Sequence, residues 1–326
     1  MSHMSGAVPA QPPLPAFKVR LDPPVLDPWI EGNTGLRGFT TYAADRPGPH
    51  VCIIALMHGN EIAGAIALAR LLHAGIMPAR GRLTLGFANL DAFLRFDPRQ
   101  PTASRFIDED LNRVWDPALL DGARRSAELD RARGMRKLVE SVDVLLDLHS
   151  MLWPSDPLLL SGCTEKGRSL AHAIGIPPLV VADAGHASGP RLIDYPCFGE
   201  AGSSCAALVE AGQHWDDATV ETTLATIAGL LRHMRQVTDH PALPPPSPAA
   251  PAPRFARVTQ AVTAATSGFA FVQPYRGGHV VSRRNTLIAI DGSTEIRTPH
   301  DDCLLVMPSL RPSRGHTAVR LARFGS

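Results

Sequence analysis

The stretch Val51–Glu61 reads VCIIALMHGNE, an apolar run that ends on a histidine and a glutamate. A continuous apolar run of this length is typical of a strand buried on both faces of a sheet. The Ala/Leu-rich segment from about Glu61 to Leu72 predicts a helix directly after it. The alternation continues, with strands predicted at residues 82–88, 142–148 and 205–209 and helices at about 122–141 and 220–236. Short buried strands separated by helices predict an α/β fold with a largely parallel sheet covered on both faces.

A proline-rich segment divides the chain. Residues His240–Arg254 read HPALPPPSPAAPAPR and contain seven prolines and no aromatic residue. Such stretches stay extended and contribute little to a core. We therefore expect a linker at residues 241–254, between a body of residues 17–240 and a tail of residues 255–326. The tail has short β-rich runs such as TLIAI and CLLVMP, broken by Gly, Pro and Asp, and these predict a small all-β domain.

The composition is that of an ordinary globular protein. Of the 326 residues, 44% are apolar and 19% are charged, and the net charge is +1. This charge gives no general attraction to nucleic acid or to an anionic membrane, and no apolar run approaches the roughly 18 residues of a membrane span. The N-terminal stretch has no basic segment followed by an apolar one, so no secretory signal is predicted. Five cysteines without CxxC spacing then favour a reducing, cytoplasmic setting.

Three of the predicted strands end at a potential metal ligand or acid. His58 and Glu61 follow the first strand, His149 closes VDVLLDLH, and Glu210 closes CAALVE. The carboxyl ends of parallel strands meet at one edge of a sheet, where ligands bind. Two imidazoles and one carboxylate, with a water in the fourth position, form a catalytic zinc site. Such a zinc lowers the pKa of its water to about 7 and polarises a carbonyl group.

The position of Glu210 gives this pattern its weight. A lone His or Glu is more often a surface or hydrogen-bonded residue, and HxxE spacing is common by chance. A glutamate directly after a strand as apolar as CAALV is costly to bury without a partner, and a metal held by the two histidines would supply that partner. We therefore predict one zinc per chain, held by His58, Glu61 and His149. Glu210 would carry a proton from the water to the leaving nitrogen.

A second group of polar residues lies in the turn-rich segment Asn89–Trp115, downstream of the strand at residues 82–88. Arg105 and Arg113 could each grip a carboxylate with a planar guanidinium, and Asn112 could add amide donors. A solvated loop with incidental charges explains the same residues, and Asp110 would then be an ordinary helix N-cap. The segment alone leaves both interpretations open.

The motifs of the body resemble those of the succinylglutamate desuccinylase/aspartoacylase family, a branch of the zinc carboxypeptidase clan. The matching pieces span about 160 residues in the expected order: HGNE at residues 58–61, SRFIDEDLNRVW at 104–115, DLHS at 147–150 and VEAG at 209–212. Each motif is short, but together they are specific. The resemblance implies a carboxypeptidase-like α/β/α sandwich with a largely parallel mixed sheet, followed by a small C-terminal all-β domain that restricts the mouth of the active site.

The resemblance also implies a role for each matching residue. By it, the zinc ligands are His58, Glu61 and His149, and Glu210 is the general base and acid that acts with a zinc-bound water. Arg105 would polarise the scissile carbonyl and form part of an oxyanion hole. The pair that holds a substrate carboxylate would be Asn112 and Arg113. The implied reaction is hydrolysis of an N-acyl amino acid.

The chain departs from the family pattern before Glu210. In aspartoacylase an arginine about ten residues before the catalytic glutamate recognises the second carboxylate of the substrate, whereas here Glu200 stands in that region and the nearest arginine is Arg191. We therefore expect substrates with one carboxylate to be preferred. The late tyrosine that assists substrate binding in the family has no secure equivalent in this chain, although Tyr275 lies nearby. Trp153 and Trp215 follow His149 and Glu210 by four and five residues, so their rings either lie at the rim of the site or pack in the core. Three histidines are expected to have surface or core roles outside the site: His172, His186 and His214.

These observations predict a cytoplasmic zinc amidohydrolase that deacylates a small amide carrying a carboxylate. No nucleic-acid or membrane partner is expected, and a homo-oligomer is left open. One alternative is a zinc carboxypeptidase that acts on peptides, which a long open groove would favour. A metal-binding protein without catalysis is the other alternative, and the retention of Glu210, Arg105 and Arg113 speaks against it because zinc binding needs none of them.

Overall fold

The structure is a computed structural model and describes residues 17–186, 188–246 and 251–325. The N-terminal stretch 1–16, for which no secretory signal is predicted, lies outside the described residues, as do residues 247–250 of the predicted linker.

The body alternates strands and helices as the sequence predicts. Its strands are β1 (Phe39–Ala43), β2 (His50–Ala55), β3 (Arg82–Phe87), β4 (Val144–Met151), β5 (Leu158–Leu160), β6 (Leu179–Ala182) and β7 (Cys205–Gln213). Its helices are α1 (Ile62–His73), α2 (Leu90–Phe93), α3 (Pro117–Asp121), α4 (Ala127–Val139), α5 (Glu165–Ile174) and α6 (Asp217–His233). The tail adds β8 (Arg254–Thr263), β9 (Ala270–Phe271), β10 (Val280–Val281), β11 (Leu287–Asp291), β12 (Thr294–Arg297), β13 (Cys303–Val306) and β14 (Thr317–Phe324).

One large sheet organises the molecule, in the strand order β1-β3-β2-β4-β7-β5-β6-β8-β14-β13-β10. The central neighbours β3, β2, β4 and β7 are parallel, whereas β1, at one edge, and β5, beside β7, run antiparallel to their partners. A separate antiparallel sheet in the tail has the order β12-β11-β9. The predicted α/β class with a largely parallel mixed sheet is confirmed.

Both faces of the central sheet are covered, as continuous apolar strands require. Alternate residues of β2 point to opposite faces. Val51, Ile53 and Ala55 pack into the core that contains α1, α5 and α6, and Cys52 and Ile54 pack into the core that contains α4. The sandwich of helices, sheet and helices follows from this two-sided burial.

The large sheet continues into the tail. Arg254, the last residue of the predicted linker, is the first residue of β8, and it pairs with Leu179 of β6 in a parallel arrangement. A third core lies within the tail, around residues such as Phe269, Ile288 and Leu305. Whether residues 255–326 form a domain of their own stays a prediction. Among the described residues, no helix combines the length and apolar character needed to cross a membrane.

Candidate active site

Three neighbouring strands bring the predicted site residues to one edge of the sheet. After β2 the chain turns at Leu56, which has a positive φ of 59°, and His58 and Glu61 follow in the turn before α1. His149 lies near the end of β4, and Glu210 lies directly opposite it near the end of β7. Both residues lie inside their strands, because β4 and β7 extend beyond the predicted ends at residues 148 and 209.

The turn at residues 58–61 is tightly packed, which explains its glycine. A Cβ atom at Gly59 would lie 2.4 Å from the backbone nitrogen of Phe93 and 2.6 Å from the carbonyl oxygen of Ser104. The backbone N–H of Gly59 donates to the carbonyl oxygen of Arg105 at 3.1 Å. The close approach therefore places Arg105 beside the histidine and the glutamate of the same turn.

His58, Glu61 and His149 are buried together, and one ligand atom of each lies within 4.8 Å of the other two. The Nδ1 atom of His58 is 2.7 Å from Oε1 of Glu61, and the Nδ1 atom of His149 is 3.1 Å from Oε2 of the same carboxylate. Both imidazoles thus turn the same nitrogen toward Glu61. Two imidazole nitrogens and one carboxylate at this spacing match the donor set of a zinc site.

A carboxylate lies behind each histidine. Nε2 of His58 is 2.9 Å from Oδ1 of Asp110, and Nε2 of His149 is 2.9 Å from Oδ2 of Asp147. A ligating histidine usually donates its other ring N–H to such a carboxylate, which fixes the tautomer and the ring orientation. In the tautomer that donates Nε2–H to the carboxylate, the Nδ1 lone pairs of both rings point into the cluster.

The electrostatics of the cluster call for a cation. Burial alone would raise the pKa of Glu61, but His58 and His149 hold it well below its usual range. Burial alone would lower the pKa of His149, but Asp147 and Glu61 raise it well above the usual value. Among the described residues, Oδ1 of Asp147 and Oε2 of Glu210 are buried without a hydrogen-bond partner. Unpaired buried carboxylate oxygens are costly, so this donor set fits a divalent metal.

Glu210 faces the same cavity and is partly exposed to it. Burial is the main cause that raises its pKa, to about 8, and the nearby carboxylate of Glu61 adds to the rise. His149 and Arg105 oppose the shift. A carboxyl group poised in this range can both accept and return a proton near neutral pH.

The turn-rich segment 89–115 is held in place by Glu128, a buried residue at the start of α4. Its carboxylate accepts hydrogen bonds from the backbone N–H groups of Ile107, Asp108 and Glu109, at 2.6, 3.0 and 3.2 Å. Sequence reasoning missed this anchor, although a glutamate in the first turn of a helix is a usual acceptor for a nearby loop. The loop is therefore built into the fold and is not an incidental solvated connection.

Arg105 leaves this loop toward the metal-ligand cluster. Its Nη2 donates to Oδ2 of Asp110 at 3.0 Å, and its Nη1 lies 3.4 Å from Oε1 of Glu61. Asp110 caps the short helical turn after it, as predicted, by accepting from the backbone N–H of Asn112. It also supports His58, a second role that the N-cap interpretation did not include.

Asn112 and Arg113 lie at the next turn of the loop. The Asn112 side chain is buried, with Oδ1 accepting from the backbone N–H of Leu192 at 2.8 Å and Nδ2 lying 3.3 Å from Nε2 of His149. The guanidinium of Arg113 donates to the carbonyl oxygen of Asn112 at 2.6 Å and lines the cavity. Burial lowers the pKa of Arg113 to about 10, opposed by Asp110. Arg113 makes no ion pair within the described part of the chain.

Two further arginines line the cavity, and both are paired. Arg191 donates to both carboxylate oxygens of Asp194, at 2.7 and 2.9 Å, and to Oδ2 of Asp183 at 3.1 Å. Arg320 reaches in from β14 and donates to the same Asp183 oxygen at 2.9 Å. Glu200 is exposed and does not line the cavity. The expectation that Glu200 faces the substrate is therefore wrong, because its loop turns it toward solvent.

Two histidines expected outside the site line the cavity as well. His214 packs edge-on against the buried Trp215, and His186 lies 2.6 Å from Nη2 of Arg320. His172 has the expected surface position, where it stacks on Phe255. Trp153 borders the cavity, whereas Tyr275 packs in the core of the tail and does not line the cavity.

The cavity has a volume of about 190 Å³. The metal-ligand cluster, Glu210 and the arginines form its polar wall. Its apolar wall includes Leu160, Leu208, Met307 and Pro308, and the last two belong to the loop between β13 and β14. Pockets for drug-sized ligands usually measure about 300–1,000 Å³, so this cavity has room for a small ligand only.

Residues 47–233 match the family model of the succinylglutamate desuccinylase/aspartoacylase catalytic domain. This match covers more than half of the chain and contains His58, Glu61, His149 and Glu210. The chain belongs to the succinylglutamate desuccinylase/aspartoacylase family. The resemblance seen in the sequence motifs is confirmed, and members of this family are deacylases that hydrolyse amide bonds in small acylated amino acids.

The sequence identity to individual relatives is low. Rat (Rattus norvegicus) aspartoacylase is 28% identical over 120 residues, which make up 34% of this chain and 37% of the rat protein. The chain thus aligns with about a third of the length of that curated family member.

Several solved structures share the fold over most of the chain. Succinylglutamate desuccinylase of Vibrio parahaemolyticus superposes with a TM-score of 0.68 at 17% identity and covers 89% of this chain and 87% of its own. The family member from Rhodobacter sphaeroides gives 0.64 at 18%, covering 89% and 95%. The product-bound ectoine utilization protein of Ruegeria pomeroyi gives 0.61 at 17%, covering 87% and 88%.

Proposed function

We propose that this family member is a zinc-dependent deacylase that hydrolyses the amide bond of a small N-acyl amino acid. One observation carries the proposal. The donor atoms of His58, Glu61 and His149 converge within 4.8 Å of one another, and an unpaired oxygen of Glu210 is buried at the same cavity. Ligands alone would suffice to bind a metal, whereas an additional unpaired carboxyl group beside them is what hydrolysis needs.

His58, Glu61 and His149 would hold one zinc ion per chain. Imidazole and carboxylate donors suit zinc among the available divalent metals, and a bound zinc supplies a Lewis acid that polarises the scissile carbonyl. Asp110 and Asp147 would orient the two imidazoles through their Nε2–H groups. With these carboxylates, both histidine ligands would have a fixed orientation.

Glu210 would act as general base and then as general acid. It accepts the proton of the water that attacks the carbonyl carbon and returns a proton to the leaving nitrogen. Its raised pKa, about 8 by burial, keeps the proton available for the second transfer. Arg105 would place its guanidinium charge beside the oxygen on which negative charge develops.

Arg113 and Asn112 would bind the carboxylate of the amino-acid half of the substrate. Arg113 is the suitable cation because its guanidinium lines the cavity without a carboxylate partner in the described part of the chain. Asn112 places its side-chain amide against His149 and Leu192, so we propose that it also fixes the position of Arg113 relative to the metal ligands.

We further propose that one carboxylate is recognised, and not two. The sequence suggested this preference because Glu200 stands where an arginine was expected, but the structure supports it for a different reason. Arg191 and Arg320 are the remaining arginines of the cavity, and Asp183 and Asp194 already neutralise them. A second substrate carboxylate would have to compete with buried ion pairs that are 2.7–3.1 Å long. N-acetyl derivatives of neutral amino acids should therefore give a higher kcat/KM than N-acetylaspartate.

The tail is proposed to act as a small β domain, residues 255–326, at the mouth of the active site. Met307, Pro308, Ser309 and Arg320 all line the cavity, and they narrow it against large ligands. The small volume supports a small amide over the peptide substrate of a carboxypeptidase. A cytoplasmic setting is also proposed, supported by free cysteines at all five positions.

A panel of N-acyl amino acids tests this function. Purified protein with one equivalent of zinc should release free amine from N-acetyl derivatives of neutral amino acids, and the Glu210→Gln variant should release it at least about 100-fold more slowly. Peptides cleaved faster than every N-acyl amino acid would instead indicate a carboxypeptidase. Zinc binding with no amine release from either class would support the non-catalytic alternative.

A further inference from the structure

His214 is a buried residue of the cavity wall that the proposed mechanism does not use. It follows β7 directly, and its backbone N–H donates to the carbonyl oxygen of Met151 at 2.9 Å. Its ring packs edge-on against Trp215 with the centroids 5.2 Å apart. The Trp215 indole N–H in turn donates to the carbonyl oxygen of Asn60 at 3.0 Å. The imidazole therefore has a fixed position close to the metal-ligand turn.

Only one nitrogen of this imidazole has a partner within the described residues. Nδ1 lies 2.8 Å from Oγ of Ser150. Nε2 makes no hydrogen bond to the part of the chain that the structure describes, and the residue lines the cavity. Burial lowers the pKa of His214 to about 4, so the ring is neutral near pH 7. A neutral imidazole has one donor nitrogen and one acceptor nitrogen. With Nδ1 bonded to Ser150, Nε2 is the nitrogen left to bond a ligand in the cavity.

The charges around His214 differ from those around His186, which lies among Arg113, Arg191 and Arg320. The groups that act most strongly on His214 are Glu61, Arg105 and the two ligand histidines. The groups that act most strongly on His186 are the arginines Arg320, Arg113 and Arg191. The metal-ligand cluster thus separates the His214 end of the cavity from the arginine-lined end.

This separation assigns the two ends to the two halves of a substrate, provided that the proposed function holds. The amino-acid carboxylate binds at Arg113 and the scissile carbonyl lies at the metal-ligand cluster. The acyl group is then left at the end formed by His214, Ser150, Leu152 and Trp153. Leu152 and Trp153 provide apolar surface there, beside the neutral Nε2 of His214. The paired arginines Arg191 and Arg320 lie at the other end of the cavity.

We propose that His214, oriented by Ser150, binds the acyl half of the substrate and selects acyl groups that carry an uncharged hydrogen-bonding group beyond the scissile carbonyl, such as a hydroxyl. A purely alkyl acyl group of equal size would leave Nε2 unpaired on binding, and an unpaired buried polar atom weakens a complex. A second carboxylate on the acyl group would have to compete with Asp110 and Glu61 for Arg105.

Two nearly isosteric substrates test the proposal, N-glycoloyl-alanine and N-propionyl-alanine, which end in CH₂OH and CH₂CH₃. We expect the zinc-loaded protein to prefer the glycoloyl compound by about 10- to 100-fold in kcat/KM, the usual size of one hydrogen bond in a dry site. The ratio of the two values cancels any effect of a variant on folding or metal content.

Two variants separate the two ring nitrogens. The amide nitrogen of Gln superposes on Nε2 of histidine, and that of Asn superposes on Nδ1. His214→Gln should keep most of the preference, whereas His214→Asn, which can still bond to Ser150, should lose it. Ser150→Ala should reduce the preference, because the ring is then free to turn. Loss of preference in both His214 variants alike would point to a packing role and overturn the proposal.

Binding measurements keep this test independent of turnover. Calorimetry on the zinc-loaded Glu210→Gln variant gives the ratio of the two dissociation constants without hydrolysis, and the same preference is expected there. Equal binding of the two compounds would overturn the acyl assignment while leaving the deacylase function intact. A second outcome would also overturn the acyl assignment. In it, His214→Asn changes the preference among N-acetyl derivatives of different amino acids but leaves the preference among acyl groups unchanged. Failure of the zinc-loaded protein to release amine from any N-acyl amino acid would instead contradict the proposed function.

Discussion

The carboxylate behind His149 offers a sharp test of the metal site. Asp147 is fully buried, its Oδ2 lies 2.9 Å from Nε2 of His149, and its other oxygen has no partner among the described residues. In Asp147→Asn the shape is kept, but the acceptor loses its charge and a buried amide N–H₂ replaces an oxygen. His149 then becomes a weaker donor to a metal at Nδ1.

The size of the effect follows from this contact. A hydrogen bond to a charged group contributes about 1.5–3 kcal/mol, which corresponds to a factor of about 10–150 in a dissociation constant. Carboxylates behind ligating histidines typically change metal affinity by about 10- to 100-fold. The two estimates agree, so Asp147→Asn should weaken zinc binding by one to two orders of magnitude.

Competition with a chromophoric chelator at neutral pH measures the zinc dissociation constant. Asp143→Asn is the matched control, because Asp143 directly precedes β4, at the end of the strand opposite His149, and accepts a hydrogen bond from the backbone of His50. It should bind zinc as the unaltered protein does. Unchanged zinc affinity in Asp147→Asn would refute the ligand role of His149 or the orientation given to its ring.

Three further predictions follow, two on Glu210 and one on Asp183. Glu210→Gln should retain one zinc per chain and lose about 10²–10⁴-fold in turnover, measured by elemental analysis and amine release; near-normal turnover would contradict its role. In metal-free protein, folding raises the pKa of Glu210 from about 4.5 to about 8, so the folded state keeps a proton that the unfolded state loses. The free energy of unfolding of the unaltered protein should therefore fall relative to that of Glu210→Gln as pH rises from about 5 to 8. Urea unfolding of both proteins with chelator at several pH values measures this difference. A difference that does not change with pH would contradict the prediction. Asp183→Ala leaves the buried guanidinium of Arg320 without its ion pair and removes one of the two carboxylates paired with Arg191, so it should cost about 3–5 kcal/mol in the free energy of unfolding. Asp156→Ala removes the exposed ion pair with Arg276 and should cost under about 1 kcal/mol; equal costs would contradict the assigned burial.

The central part of the fold was predictable because its signals are local. Val51–Glu61 and Val142–His149 each combine an apolar strand with the polar residue that ends it, so one window of sequence contains both the strand and its ligand. The edges gave weaker signals. The strands β5 and β6 are three and four residues long, which is too short for a pattern to stand out from the surrounding loops.

The supporting residues of the site were harder to predict, for different reasons. Asp147 was within reach, because it lies two residues before His149 on the same face of one strand and is a charge inside an apolar run. Arg320 was not, because β14 lies about 110 residues after Glu210 in the sequence and only the assembled sheet brings it to the cavity. His214 was set aside because a lone histidine gives no directional signal. Glu200 was misplaced because its spacing from Glu210 in the sequence says nothing about which way its loop turns.

The central claim is that one zinc ion in the cluster of His58, Glu61 and His149 supports amide hydrolysis. The most direct test titrates metal-stripped protein with zinc and follows amine release from an N-acetyl derivative of a neutral amino acid. We predict no release without metal, a linear rise, and a break at one equivalent of zinc per chain. His149→Ala should show neither the rise nor the break. Hydrolysis at full rate by the metal-free protein, or an unchanged titration in His149→Ala, would contradict the account.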